Sequence, residues 1–270
     1  VTERVLITGA AGLIGTLLRR TLAGPGRELR LLDLRPQAPL EPGERAELVQ
    51  ASILDDGALR RAFQDVDAVV HLAGLATGGF SWAQYVEVNI DGTQRVFEAA
   101  RLSDVGRVVY ASSHHVMGNQ PTNDGVEVGE YVYPRPDSFY AVSKIAGESL
   151  GRLYHDRHGL DVLCLRIGSF RERPTDRRAL WNWLSPGDCT RLFEAALSAP
   201  APGFCVVWGV SANSARIMSL DEASTIGYFP VDDAALFEAD VLATAPAEDL
   251  SVVDVIGGPF AAGDFDEPRP

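Results

Sequence analysis

Tyr140 and Lys144 stand four residues apart in Ser138-Phe139-Tyr140-Ala141-Val142-Ser143-Lys144, with Ser112 and Ser113 a short way upstream. On a helix this spacing sets a phenol and an ammonium one turn apart on a single face. A cation beside a phenol favours the phenolate and is expected to draw the tyrosine pKa from ~10 toward neutrality. Such a tyrosine can take a proton from an alcohol while hydride leaves the same carbon. The spacing is common by itself. It gains meaning from the first fifteen residues.

There, the strand-like run Arg4-Val5-Leu6-Ile7-Thr8 leads into Gly9-Ala10-Ala11-Gly12-Leu13-Ile14-Gly15, and a helical run from Thr16 to Ala23 follows. Glycines between a strand and a helix let the backbone approach a pyrophosphate, and the helix N-terminus offers free amides and partial positive charge. A second strand, Glu28 to Leu32, ends at Asp33. An acid there accepts hydrogen bonds from ribose hydroxyls and repels a 2'-phosphate, which favours NAD over NADP. Arg35 argues the other way as a host for that phosphate, or it lies solvated over the adenine.

The elements that must position these groups repeat along the first half. Ala46 to Gln50 reads as a strand, Asp55 to Gln64 as an acid-capped helix, and Asp67 to Gly74 as a strand ending in small residues. A helix is predicted from Trp82 to Arg101 and a strand from Arg107 to Ala111. Alternating strands and helices predict an α/β, Rossmann-type doubly wound parallel sheet, whose ligands bind beyond the carboxyl ends of the strands. Gly9, Asp33, Ala73, Gly74 and Ser113 fall at such ends. His71 reads as a packed histidine. Asn89 caps a neighbouring backbone segment or holds a water near Lys144. Residues 1–167 form the expected dinucleotide-binding domain, including the Tyr/Lys helix. Residues 168–270 form a small substrate lobe interleaved with it, with a helix from Cys189 to Ala199, a strand from Phe204 to Val207, a late amphipathic helix from Asp232 to Val241 and an irregular tail from Gly257.

The chain of 270 residues is 46% hydrophobic, enough for a full core, and its formal net charge of -13 opposes nucleic acid and anionic lipid. No apolar run is long enough to span a bilayer, so a cytoplasmic location is expected. Cys164, Cys189 and Cys205 read as buried thiols. No metal pattern is present; His155 and His158 lie on a helix without a third ligand. Trp181, Trp183 and Trp208 are expected to pack the second lobe.

The glycine spacing, Asp33, the Ser112-Ser113 pair and Tyr140/Lys144 together resemble the short-chain dehydrogenase/reductase superfamily, of the extended type that includes sugar epimerases and dehydratases. Four stretches, Ala111 to Gly118, Arg135 to Tyr140, Leu165 to Ser169 and Val206 to Asn213, are similar to the uronate dehydrogenase family within it. That resemblance implies NAD-dependent oxidation of the anomeric carbon of a free glucuronate or galacturonate to an aldarolactone. It implies that Tyr140 is the general base, that Lys144 lowers its pKa and holds the nicotinamide ribose, and that Ser113 bonds the reacting hydroxyl. His114, His115 and Ser169 would meet the sugar, and Arg178 would clamp its carboxylate. The cofactor would lie along Gly9, Gly12, Leu13, Ile14, Gly15, Asp33, Ser52, Ile53, Leu72, Ala73, Gly74, Asn89 and Ile167, together with Tyr140 and Lys144.

Two positions depart from the family pattern. Ser52 replaces an aspartate expected at the adenine, and Ala76 replaces a sugar-contacting serine, for which Thr77 can substitute. The residues themselves fit an acid sugar: Arg166, Arg171, Arg173, Arg177 and Arg178 crowd one short segment of an acidic chain, and a guanidinium matches a carboxylate with two parallel hydrogen bonds. The residues alone do not choose among the five; the resemblance selects Arg178. It also implies a homo-oligomer paired through the helices at 82–101 and 137–158. Two other readings stand beside this one: an epimerase or dehydratase with tightly bound NAD, and a non-catalytic dinucleotide-binding regulator.

Overall fold

The computed structural model describes residues 2–76, 78–122, 127–244 and 254–262. Its centre is a sheet of seven strands, all parallel: β1 Glu3–Thr8, β2 Arg27–Asp33, β3 Ala46–Gln50, β4 Ala68–His71, β5 Arg107–Ser113, β6 Asp161–Ile167 and, after two short strands, β9 Phe204–Gly209. The spatial order is β3-β2-β1-β4-β5-β6-β9. Strand order reverses between β1 and β4, and a doubly wound sheet opens its ligand crevice at such a point. The short strands β7 Ser169–Phe170 and β8 Trp183–Leu184 pair with each other beyond the end of β6.

Side-chain alternation builds both cores from the same strands. Val5, Ile7, Leu29 and Leu31 face one way, onto α1 Leu13–Thr21 and, later in the chain, the helix Pro186–Ser198 through Leu18, Leu22, Leu192 and Phe193. Leu6, Leu32, Val69 and Val108 face the other way, onto Leu59 of α2 Asp56–Ala62 and onto Phe63, Phe97 and Tyr154. Fully burying each such side chain contributes about 1.5–3 kcal/mol. Because both faces are covered, the strands read as continuous apolar runs.

Helix ends follow local chemistry. Asp55 accepts the Ala58 N–H as N-cap of α2. The region expected as one helix from Trp82 is three segments: α3 Trp82–Gln84, opened by a capping box between Ser81 and Gln84, a π-helical stretch Tyr85–Asp91, and α4 Gly92–Leu102. Ser138 caps α5 Phe139–His158 at one end, and Gly159, at φ 71, closes it in the left-handed conformation that glycine adopts without strain. Beyond β6 the chain adds α6 Ala179–Asn182, α7 Pro186–Ser198 with proline in its first turn, and α8 Asp221–Thr225. The predicted helix from Asp232 is instead a 3₁₀ turn, Ala234–Phe237, capped by Asp233 and running into α9 Glu238–Thr244.

The expected irregular tail is corrected in part. Residues 254–258 bridge back to residues 118–122, Ile256 is fully buried, and α10 Pro259–Ala262 follows. Backbone pairing supplies that order, which residue type did not advertise. Trp183 and Trp208 are buried and donate their indole N–H groups to the carbonyls of Arg171 and Val128, so both pack the lobe as expected. All three cysteines are buried and free. Among the described residues, no helix is long and apolar enough to cross a membrane, and no group of three or more His, Cys, Asp or Glu side chains could hold a metal ion.

Candidate active site

The glycine turn is built for close approach. Gly9 has φ +74, and a Cβ there would lie 2.6 Å from the Ala73 nitrogen. A Cβ on Gly15 would lie 2.6 Å from Gly9 O, so α1 can start hard against the turn only with glycine. Gly12 is the N-cap of α1, and Leu13, largely exposed, and Ile14 open its first turn. The Asp33 carboxylate, buried at the end of β2, accepts the Ala11 N–H at 2.8 Å and the Arg35 N–H at 2.8 Å. It therefore pins the turn and faces the crevice at once. The Arg35 side chain is mostly exposed. Ser52 accepts the Leu54 N–H, Ile53 is buried against Gly92, and Leu72, Ala73 and Gly74 continue from the end of β4. The glycines let these backbone segments pack hard against one another, and the tight turn so formed, with Asp33 beside it, fits the close backbone approach of a dinucleotide.

Tyr140 and Lys144 share one face of α5, and both are buried. β5 runs two residues further than predicted and delivers Ser112 and Ser113 to the same place. Ser113 hydrogen-bonds the Tyr140 phenol. Lys144 Nζ donates to Ala111 O at 2.9 Å and lies 5.7 Å from the Tyr140 ring centre.

The expected acidic tyrosine is corrected here. Burial pushes the Tyr140 pKa up to about 12, against the opposing Ser113 hydrogen bond and with Tyr85 and Asp137 adding to the rise. Burial pulls Lys144 down to about 8. Among the protein's own groups, then, desolvation outweighs the cation, because the ammonium is spent on a backbone carbonyl rather than aimed at the phenol.

His71 is packed as expected. Its ring sits between the Thr8 and Thr93 hydroxyls at 2.7 and 3.0 Å, and burial, then Lys144, hold its pKa down at about 3. Asn89 makes the capping contacts expected of it. Its carboxamide accepts the Leu75 N–H at 2.7 Å and donates to Leu75 O at 3.1 Å and to Ser143 Oγ at 2.9 Å. It thereby fixes the chain leaving β4 against the Tyr/Lys helix. The π-helical stretch carries it, and such stretches recur at functional sites.

The far end of the cleft gathers the other predicted residues. His114 Nδ1 lies 3.0 Å from Ile167 O. A carbonyl only accepts, so Nδ1 carries the proton and Nε2 keeps its lone pair. That Nε2 lies 3.5 Å from Arg178 Nη1. Burial, then His115 and Arg178, hold His114 well below its usual pKa, so it is neutral. Both ring nitrogens thus have protein partners, Ile167 O and the Arg178 guanidinium. His115 Nδ1 sits 2.6 Å from the buried Asp137 carboxylate, and its ring packs on Phe260 and edge-on to Tyr140. Asp137, which holds that ring, went unnoticed in the sequence; the Pro-Asp-Ser run before a helix was its only signal. Ser169, on β7, is half-buried. Thr77 lies outside the described residues.

Of the five clustered arginines, Arg178 alone, itself part-buried, carries a buried nitrogen without a hydrogen-bond partner among the described residues, its Nε. Its Nη1 donates to Gly257 O at 2.9 Å. Burial draws its pKa down, and Asp176 is the largest opposing influence. Arg166 is buried but paired with Glu148, and Arg173 pairs with Asp240 at the surface. Asn182, one turn after Arg178, buries its carboxamide with neither polar atom partnered.

A glycine turn at the switch point of a parallel sheet, beside a Ser-Tyr-Lys group, defines a nucleotide-dependent enzyme class. The model of the NAD dependent epimerase/dehydratase family matches residues 5–171, and the chain belongs to that family. Within it, the chain is similar to uronate dehydrogenase of Pseudomonas syringae, at 38% identity over 96% of this chain and 94% of that protein. It is also similar to L-arabinose 1-dehydrogenase (NAD(P)(+)) of Haloferax volcanii, at 38% identity over 86% of this chain and 98% of that protein. Among solved structures, uronate dehydrogenase from Agrobacterium tumefaciens, a tyrosine-to-alanine variant complexed with NAD, superposes with a TM-score of 0.92 at 35% identity, covering 99% of this chain and 100% of that one.

Proposed function

We propose that the chain is a uronate dehydrogenase, which oxidises the anomeric carbon of a free hexuronate to an aldarolactone with NAD. The observation that carries the choice of substrate is Arg178, a part-buried guanidinium whose Nε is buried and unpartnered and which forms no ion pair among the described residues, linked through His114 and His115 to Tyr140. A buried cation without a counter-ion is costly unless a ligand supplies one. A carboxylate offers two oxygens matching a guanidinium edge.

Bound NAD would supply the hydride acceptor and, in its oxidised form, positive charge near the phenol. Gly9, Gly12 and Gly15 would admit its pyrophosphate, Asp33 would accept hydrogen bonds from its ribose, and Lys144 would order the nicotinamide end. Ser113 holds the anomeric hydroxyl against Tyr140. Tyr140 takes the hydroxyl proton as the C–H bond gives up its electron pair, and C1 becomes the lactone carbonyl. Arg178 fixes the opposite end of the sugar, and His115 and Ser169 are placed to meet its hydroxyls. Thr77 completes that set in this reading. Residues 1–167 carry the cofactor, and the lobe from 168 carries Ser169 and Arg178 while returning β9 to the main sheet. A cytoplasmic location and a homo-oligomer joined through the helical segments at 82–101 and 137–158, where Val142 and Leu153 of the second are exposed, belong to the same reading.

The test is NADH formation with glucuronate, galacturonate, glucose, L-arabinose, glucose 6-phosphate and UDP-glucose. Turnover confined to the free uronates is expected. Preference for L-arabinose or glucose 6-phosphate would overturn the substrate assignment, and cofactor that stays bound without net NADH would favour an epimerase. Tyr140→Phe is expected to lower kcat by roughly 10²–10⁴-fold, the usual contribution of a positioned general base, while NAD affinity persists in a fluorescence titration.

A further inference from the structure

The guanidinium of Arg178 is held from one side. Its Nη1 reaches the Gly257 carbonyl at 2.9 Å and His114 Nε2 at 3.5 Å, while Nε, on the other edge, is buried and unpartnered. Both holders are neutral: a backbone carbonyl, and an imidazole whose only proton points to Ile167 O. They orient the arginine without cancelling its charge.

The Gly257 carbonyl belongs to a segment that returns to the cleft from far along the chain. Thr122 N–H donates to Asp254 O at 3.0 Å, Ile256 N–H to Gln120 O at 3.0 Å, and Gly257 N–H to Gly118 O at 2.7 Å. Ile256 is buried with Trp208 and Met218. Phe260 stacks 4.4 Å from the His115 ring. Two glycines allow the approach. A Cβ on Gly257 would lie 2.0 Å from Asp137 Oδ2, and one on Gly258, at φ +57, would lie 2.8 Å from Arg178 Cδ. A side chain at either position forces something to shift.

We propose that this strap, residues 254–260, is the specificity-determining element of the carboxylate subsite. By taking up Nη1 of Arg178, Gly257 fixes the plane of the guanidinium and leaves its remaining donors for the sugar acid. A guanidinium without that tether can turn either edge to the cleft and loses the fixed fork that two parallel hydrogen bonds require. The chain thus selects an acid sugar through backbone atoms some eighty positions beyond the arginine. The inference rests on the clamp role given to Arg178 above.

A double-mutant cycle tests it, reading KM for glucuronate, kcat and NAD affinity in the full-length chain. Arg178→Ala is expected to raise KM roughly 100-fold, in the range for removing one partner of a buried charged pair. Gly258→Ala, which presses on the arginine stem, is expected to raise KM roughly tenfold through misplacement alone, with kcat and NAD affinity close to the parent. In the Arg178→Ala background the struck atoms are gone, and Gly258→Ala should leave KM unchanged. An equal rise in both backgrounds, or none in the parent, overturns the strap's role. Should Gly258→Ala fail to fold, Ile256→Ala loosens the strap from outside the cleft and must show the same dependence on Arg178. If Arg178→Ala itself leaves KM unaltered, the clamp reading falls and the strap proposal with it; that result is distinct from a loss of coupling.

Discussion

Two arginines of this molecule, one buried and one part-buried, face opposite fates. Arg166, on β6, meets Glu148 of α5 with two hydrogen bonds of 2.9 and 2.8 Å, and reaches Glu130 O at 2.8 Å. Ser112 completes the set by donating to Glu148 at 2.6 Å. Every element behind the catalytic pair is tied there: β5, β6 and the helix that carries Tyr140 and Lys144. Arg178 has no carboxylate, one carbonyl and one imidazole. Lys144 resembles Arg178, since its hydrogen bond goes to the Ala111 carbonyl. The cation behind the cleft is neutralised by the protein, and the cations within it are not. An internal acid would compete with the ligand for the same donors, whereas a carbonyl only aims them.

The sharpest way to break this contrast is to remove one group from each side. Glu148→Ala leaves Arg166 charged, buried and unpaired, and should destabilise the fold by about 3–5 kcal/mol in urea unfolding. Arg178→Ala removes a charge with no ion-pair partner among the described residues and should leave unfolding nearly unchanged while activity on uronates collapses. Equal stability losses from the two variants would erase the distinction.

Lys144 gives a smaller and pH-dependent test. Its pKa falls from 10.5 to about 8 on burial. Below pH 8 the ammonium is charged in both folded and unfolded chains, and burying it costs about 3 kcal/mol at 1.36 kcal/mol per pKa unit. Between about 8 and 10.5 the unfolded chain binds more protons, so stability should rise with pH across that window. Lys144→Met should remove this rise and, near neutral pH, raise the midpoint of thermal unfolding of the cofactor-free protein while abolishing turnover. A variant that unfolds more readily at neutral pH would show that the Ala111 hydrogen bond outweighs the burial cost.

Much of the nucleotide end was legible because its parts are local. Gly9, Gly12 and Gly15 sit in one run, Asp33 ends the next strand, and Tyr140 and Lys144 need only helical spacing. What spacing cannot carry is solvent exclusion. The same four-residue interval that predicted an acidic Tyr140 belongs to a phenol that burial drives upward. The sugar end was less legible because it is assembled across long separations. The residue types of His114 and Arg178 could be noticed, but whether a ring nitrogen faces a sugar or a guanidinium depends on Ile167 and Gly257. The strap left no mark at all, since backbone hydrogen bonds between 118–122 and 254–257 are made by atoms every residue possesses.

The wide turn at Tyr85–Asp91 has a consequence for how this chain tolerates length changes. A π-helical stretch holds one residue more than the α-helical path it interrupts. Excising a single residue there would let the stretch tighten into ordinary helix and turn the residues within it off the faces they now present. Asn89 would swing off Leu75 and Ser143, and the segment leaving β4 would come adrift from the Tyr/Lys helix. The surplus residue thus works as a mechanical shim, seating two parts of the cleft that the surrounding secondary structure leaves slightly out of step.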